Sequence, residues 1–159
     1  MSKINGLLDA KFNPPRNWTL DVPLKFQSDI LDETSISMLK LCGIQVTKTT
    51  GTVTVPKGYI TDLASVPRVC WAFIAPFDVA RAAVVHDIMY EKINGAYKEG
   101  KISNKCEREK YRKIADNVFR DGMRAAEPSV PKWKIFSAYW SVRMFGRWAI
   151  NSSAPRKGI

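Results

Sequence analysis

The sequence predicts an α+β fold, with N-terminal antiparallel strands packed against three C-terminal helices. Two observations carry this prediction. Alternation of β-branched residues with period two is concentrated in Ile44–Thr47 and Thr52–Val55, whereas apolar residues recur at helical spacing from residue 78 onward. The strands precede the helices and do not alternate with them, which argues against a parallel α/β sheet. A chain of 159 residues suits one domain. Residues 1–17 read as an N-terminal arm, 18–150 as the domain and 151–159 as a flexible tail.

The elements follow in order. Asn13-Pro14-Pro15 breaks the lead-in, which carries no clear periodicity. Trp18 to Phe26 alternates as one short strand, and Pro23 assigns it to an edge or a bulge. Residues 27–36 are polar and aperiodic and read as a loop. Ile44–Thr47 and Thr52–Val55, joined by Lys48 to Gly51, form a hairpin spanning about 44–55. Pro56-Lys57-Gly58 turns the chain into an extended stretch from Tyr59, which must become irregular before Pro67. Asp78 reads as the N-cap of a helix over about 78–93, closed by Asn94-Gly95. After a polar loop, a second helix covers about 106–126 and a third about 132–150, with Pro128 and Pro131 between them.

Composition excludes several classes. No apolar run approaches the ~18 residues of a membrane-spanning helix, and the first fifteen residues carry no apolar stretch of a secretory signal. Cys42, Cys70 and Cys106 are widely spaced, with no C-x-x-C, and His86 is the one histidine. A zinc ribbon or a multi-imidazole metal site is therefore not expected, and the three cysteines read as reduced thiols. The formal charge is +10, and Ser129 to Ile159 holds six basic residues (Lys132, Lys134, Arg143, Arg147, Arg156, Lys157) and no acid. Aromatics interleave with these cations. The plain reading is a core helix with aromatics inward and arginines outward. The same pattern also suits a nucleic-acid surface or an interfacial helix.

Two segments carry polar chemistry in apolar surroundings. Thr61-Asp62-Leu63-Ala64-Ser65 places hydroxyls and a carboxylate where a strand breaks off. Ala82 to Tyr90 is a nearly continuous apolar run interrupted by His86-Asp87. His86 and Tyr90 are four apart and share a helix face. Burying such groups without partners costs several kcal/mol, so His86, Asp87, Asp62 and Asp116 are expected to find one another, or to find Thr61, Ser65, Tyr90 or an arginine. A carboxylate on His86 would fix its tautomer and let it activate water as a general base. Alternatively, Asp62, Asp87 and Asp116 could surround Mg²⁺ or Ca²⁺. Each residue also has an ordinary structural reading: Asp62 as a turn cap, His86 as a satisfied core histidine, Asp116 as the helix partner of Arg112 or Arg120.

Taken together, Val55-Pro56-x-Gly58-Tyr59-x-Thr61-Asp62-Leu63-Ala64-Ser65-Val66-Pro67, His86-Asp87-x-x-Tyr90, Ala115-Asp116-x-x-Phe119 and Tyr139-x-x-Val142-Arg143-x-Phe145-Gly146 resemble a bacteriophage- and prophage-encoded family of small domains of unknown function. The resemblance spans about Trp18 to Trp148. It implies a viral α+β domain made in the host cytoplasm, and such genes are often found among late tail- or lysis-associated ones. His86-Asp87-x-x-Tyr90 is also similar to the helix motif of secreted phospholipases A2. That likeness implies His86 as the base, Asp87 as a calcium ligand and Asp116 as the carboxylate behind the histidine. The chain lacks the disulfide framework and calcium loop of those enzymes.

Three functions are open at this level. The first is a virion, tail-associated or host-interaction component whose partners are other phage proteins, with a buried His–Asp network. The second is a hydrolase of an envelope ester, amide or phosphodiester. It would use His86 as base, Asp116 or Asp62 as orienting carboxylate, Ser65 and Tyr90 in support, and Asp87 on a divalent cation. The third is a nucleic-acid or nucleotide binder using the basic C-terminal helix.

Overall fold

The computed structural model describes residues 1–4, 8–14, 17–61, 76–127 and 129–152. The architecture is α+β. Among the described residues seven short strands, β1 (Lys3–Ile4), β2 (Ala10–Asn13), β3 (Asn17–Leu20), β4 (Leu24–Gln27), β5 (Val46–Thr47), β6 (Thr52–Val55) and β7 (Ile60–Thr61), form two sheets. Among the described residues four helices accompany them: α1 (Glu33–Leu41), α2 (Pro76–Lys98), α3 (Lys105–Arg124) and α4 (Lys132–Ser152). One sheet has the order β1-β4-β6-β5, the other β2-β3-β7, and all the pairings are antiparallel.

The hairpin forms as its alternation predicts. Val53 lies opposite both Phe26 and Val46, and Val55 opposite Leu24. These side chains are buried, while Lys25 between Leu24 and Phe26 and Thr47 next to Val46 are exposed, so one sheet face makes the core. Gly51 closes the turn at φ 59°, and a Cβ there would sit 2.7 Å from the Ser28 carbonyl oxygen, so only glycine fits.

Four boundaries differ from the sequence reading. Trp18 to Phe26 is two strands in two sheets, β3 and β4. A continuous strand would turn Leu20, Val22 and Leu24 to one side, yet Leu20 and Leu24 are buried and Val22 is exposed. The break at 21–23 resolves this conflict. The lead-in is not irregular, because β1 adds to β4 and β2 to β3. Both are edge strands with little pattern of their own, ordered by their partners, as in the Phe12–Trp18 ring contact at 5.1 Å. The 27–36 segment ends in α1, whose N-cap Asp32 accepts from Ser35 N–H at 2.7 Å and which buries Ile36 and Leu39. Finally, α2 starts at Pro76, so Asp78 is not its cap. It also runs through Asn94-Gly95, because Ile93 and Ala96 continue the buried row and packing outweighs the weak helix propensity of Asn and Gly.

The helices set the site. A short connection turns α2 back as α3, whose N-cap Asn104 accepts from Glu107 N–H at 2.9 Å. Ala82 lies against Gly122, and His86 against Asp116, so the two helices run antiparallel. A Cβ on Gly122 would approach the Ala82 Cβ to 3.0 Å, so the glycine permits this close crossing. α4 returns along α3, burying Ile135, Ala138 and Val142 with Phe119 and Met123 in a second core cluster. Among the described residues no helix is long and apolar enough to cross a membrane.

Candidate functional site

The segment from Ala82 to Tyr90 is buried without interruption. A helix enclosed on all sides must satisfy its polar groups internally. His86 does so across the helix pair. Its Nε2 lies 2.8 Å from Asp116 Oδ1, and the Tyr90 hydroxyl, one turn along α2, donates to the same oxygen at 2.5 Å. The second Asp116 oxygen accepts from Arg143 Nη1 of α4 at 2.8 Å. Three helices thus converge on one carboxylate that has no exposed surface.

The electrostatics follow from these contacts. Burial pushes the Asp116 carboxyl up, but hydrogen bonds from His86, Arg143 and Tyr90 and the charge attraction of His86 outweigh it, so the group stays below the ordinary carboxylate range. Burial, followed by the charge of Asp116, pushes the Tyr90 hydroxyl far up, so it remains a donor. Arg143 loses some proton affinity to burial and regains more from Asp116, which holds it charged.

An ionised carboxylate can only accept. His86 Nε2 therefore carries the proton, and in the neutral ring the lone pair lies on Nδ1. That nitrogen has no hydrogen-bond partner among the described residues. The His86 ring is also packed between Tyr90 at 4.0 Å and Phe119 at 5.0 Å between centroids. It is held in orientation by stacking as well as by its bond to Asp116.

Two further charged groups, Arg112 and Glu109, lie beside Tyr90 and Arg143. Arg112, fully buried, gives Nη1 to Glu109, while its Nε and Nη2 have no partner among the described residues. Arg143 Nη2 lies 3.9 Å from the same Glu109. Asp116 and Glu109 thus face Arg112 and Arg143. Gly146 brings α4 close to these groups, since a Cβ there would stand 3.0 Å from both Arg112 Nη2 and the Tyr90 hydroxyl.

Several expectations meet this geometry. His86, Asp116 and Tyr90 come together. Asp62 and Ser65 lie outside the described residues. Asp87 turns away from His86 and accepts from Thr61 Oγ1 of β7 at 2.8 Å, tying the helix to the end of the three-stranded sheet. The three-carboxylate cation reading loses Asp116, because both its oxygens face donors and one of these is a guanidinium. No group of three or more metal-ligating side chains occurs among the described residues.

Asp116 also departs from the helix-pair reading. Arg112 goes to Glu109, and Arg120 sits over the Tyr139 ring at 4.6 Å. Within the basic set, Lys132 is exposed, and Lys134 is half-buried with Nζ 5.8 Å from the Trp133 ring centre. Arg143 is a site residue facing Asp116, which the acid-free run had assigned to a binding surface. Arg147 lies in α4, and Arg156 and Lys157 are outside the described residues. The sequence reading missed Glu109, had Arg112 only as a helix partner of Asp116, and had Gly146 only as a motif position. A glycine inside a helical aromatic run was the signal for a close approach.

Of the cysteines, Cys42 is buried and Cys106 exposed, both as free thiols, while Cys70 lies outside the described residues.

No curated protein and no solved structure matches the chain. One family model does match, over residues 40–142, a stretch that carries the hairpin, α2, α3 and α4 as far as Val142. The protein with its three-helix clamp on Asp116 thus belongs to a family described as proteins of unknown function, DUF1353.

Proposed function

We propose that the protein is a hydrolase in which His86 is the general base. The observation that supports this reading is the 2.8 Å contact of His86 Nε2 with an ionised Asp116, which leaves the Nδ1 lone pair uncommitted among the described residues. In such a site Nδ1 takes a proton from water as the oxygen attacks a carbonyl or phosphoryl centre. Asp116 stabilises the imidazolium that forms, and the ring returns the proton to the leaving oxygen or nitrogen. Tyr90 and Arg143 hold Asp116 and do not touch the reacting atoms. The substrate class remains an ester, an amide or a phosphodiester. Asp87 is the candidate oxygen ligand should a Mg²⁺ or Ca²⁺ take part.

The reading is tested at Nδ1 before any substrate is known. With the exposed Cys106 thiol first capped as a mixed disulfide, a small α-haloketone should alkylate His86 at that nitrogen, giving a His86 adduct by peptide mapping that is missing from His86→Gln. The same treatment should remove whatever turnover a panel of chromogenic esters, anilides and phosphodiesters reveals. A ring that stays unmodified in the folded protein would seal the lone pair from any reactant and sink the proposal.

A second reading, a phage-encoded virion, tail or host-interaction component, is favoured by one different observation. α4 leaves a row of large apolar side chains in solvent. In that reading the Asp116 network is a locking device between helices, and the test is whether purified virus particles contain the protein.

A further inference from the structure

α4 reverses the arrangement that its sequence suggests. Arg143 points inward to Asp116, while Trp133, Phe136, Trp140 and Met144 are 55%, 66%, 49% and 65% exposed. Their spacing of three, four and four residues makes one continuous row along the helix. Phe145, 40% exposed, widens it, and Phe136 meets Trp140 edge-on with centroids 6.2 Å apart. The opposite side of the same helix buries Ile135, Ala138 and Val142. Both faces of α4 as far as Gly146 are thus apolar, and among the described residues only one is covered. Isolated exposed apolar side chains are common, but a contiguous row over three turns marks an interaction surface.

Charge decides between occupants. From Ser129 to Ile159 there are six basic residues and no acid, on a chain of formal charge +10. A second copy would bring the same sign of charge to the same face, with no acid on α4 to pair. Nucleic acid would suit the charge but not the row. The cations flank only Trp133, at one end of the row, because Arg143 is committed to Asp116, and Met144 offers no stacking face. A bilayer with anionic headgroups suits both. Trp and Phe side chains enter the headgroup boundary while Lys132 and Lys134 meet the phosphates.

We propose that α4 is a peripheral docking face for an anionic lipid surface, with Trp133, Phe136, Trp140 and Met144 inserting at the interface. The proposal is independent of the chemistry at His86.

The test uses the full chain with vesicles of mixed phosphatidylglycerol and phosphatidylcholine, and with vesicles of phosphatidylcholine alone. Co-sedimentation with the anionic vesicles, a blue shift of tryptophan emission on mixing, and weakening by salt are expected. Replacing Trp133→Ser and Trp140→Ser together should reduce partitioning by about tenfold or more, with the far-UV spectrum and the thermal midpoint kept, because both side chains are largely outside the core. His86→Gln should leave partitioning unchanged. The proposal is overturned if neither vesicle is bound, or if the double variant binds as well as the parent. It is also overturned if the double variant instead loses single-stranded DNA binding or dissociates a dimer while vesicles are ignored.

Discussion

The Asp116 carboxylate and the His86 ring meet at 2.8 Å across two helices, from positions thirty residues apart. Neither residue belongs in an apolar core alone, and each is what makes the other tolerable there. Asp116→Asn keeps the volume and replaces one oxygen by an amide donor. That donor must face either Arg143, which can only donate, or His86 and Tyr90, which must then change tautomer and rotate the hydroxyl to accept it. The expected loss is about 3 kcal/mol or more, as for removing one partner of a buried ion pair, read as a lower urea midpoint at unchanged slope.

Acid should expose the same interaction. The Asp116 carboxyl lies below its ordinary range in the folded protein, with its hydrogen bonds and charge partners outweighing burial. A group lowered on folding contributes stability that is complete above its unfolded pKa, and loses it as the pH falls through that value toward the folded one. The gap in unfolding midpoint between the parent and Asp116→Asn should therefore be full at neutral pH. It should narrow once the pH drops into the carboxylate range. A gap that stays constant into strong acid would mean that ionisation of Asp116 is not what stabilises the cluster.

The ring tautomer is directly observable, because the chain has a single histidine. Long-range ¹H–¹⁵N correlation should find the neutral ring protonated at Nε2, with that proton exchanging slowly in the buried contact to Asp116. A ring carrying its proton on Nδ1 would contradict an ionised Asp116 as the acceptor and remove the base from the proposed mechanism.

How much of this was legible beforehand depended on whether the signal was local. The 44–55 hairpin and the cores of three helices showed in periodicity. His86, Tyr90 and Asp116 showed because polar residues interrupting apolar helices must converge or pay desolvation. Edge strands β1 and β2 were illegible, since the order of Ala10–Asn13 comes from β3 and little from its own residues. α1 was missed although Asp32, Ile36 and Leu39 carried its cap and its buried face. Arg143 was misassigned for a deeper reason. Helical spacing tells which residues share a face, but not which of two apolar faces the neighbouring helix will cover.

The two described cysteines should differ sharply in reactivity. Burial pushes the Cys42 thiol up to about 11, with Lys101 opposing that rise, so thiolate is scarce at neutral pH. Cys106 is exposed at the start of α3. A disulfide reagent applied at neutral pH, followed by peptide mapping, should label Cys106 promptly and Cys42 only after denaturation. Equal labelling of the two in the folded protein would contradict the packing of Cys42.

Two glycines inside helices should respond with opposite sign to the same replacement. Gly95 lies within α2 with nothing within 4 Å of a built Cβ, so Gly95→Ala gains only helix propensity, about 0.5–1 kcal/mol. Gly122 faces Ala82, whose Cβ would be 3.0 Å and whose Cα 3.6 Å from the added methyl. Those atoms are fixed to the backbone of α2 and cannot rotate aside, so the helices must separate. Overpacking of this kind costs about 1–3 kcal/mol, which exceeds the propensity gain. Gly122→Ala should therefore lower the thermal midpoint while Gly95→Ala raises it. Separation at Gly122 also strains the His86–Asp116 contact, less than two turns away along α3, so the slow-exchanging Nε2 proton should exchange faster in Gly122→Ala and be unaffected in Gly95→Ala. A stabilised Gly122→Ala with an unchanged ring proton would show that the α2–α3 crossing has slack that the close approach of Ala82 and Gly122 does not suggest.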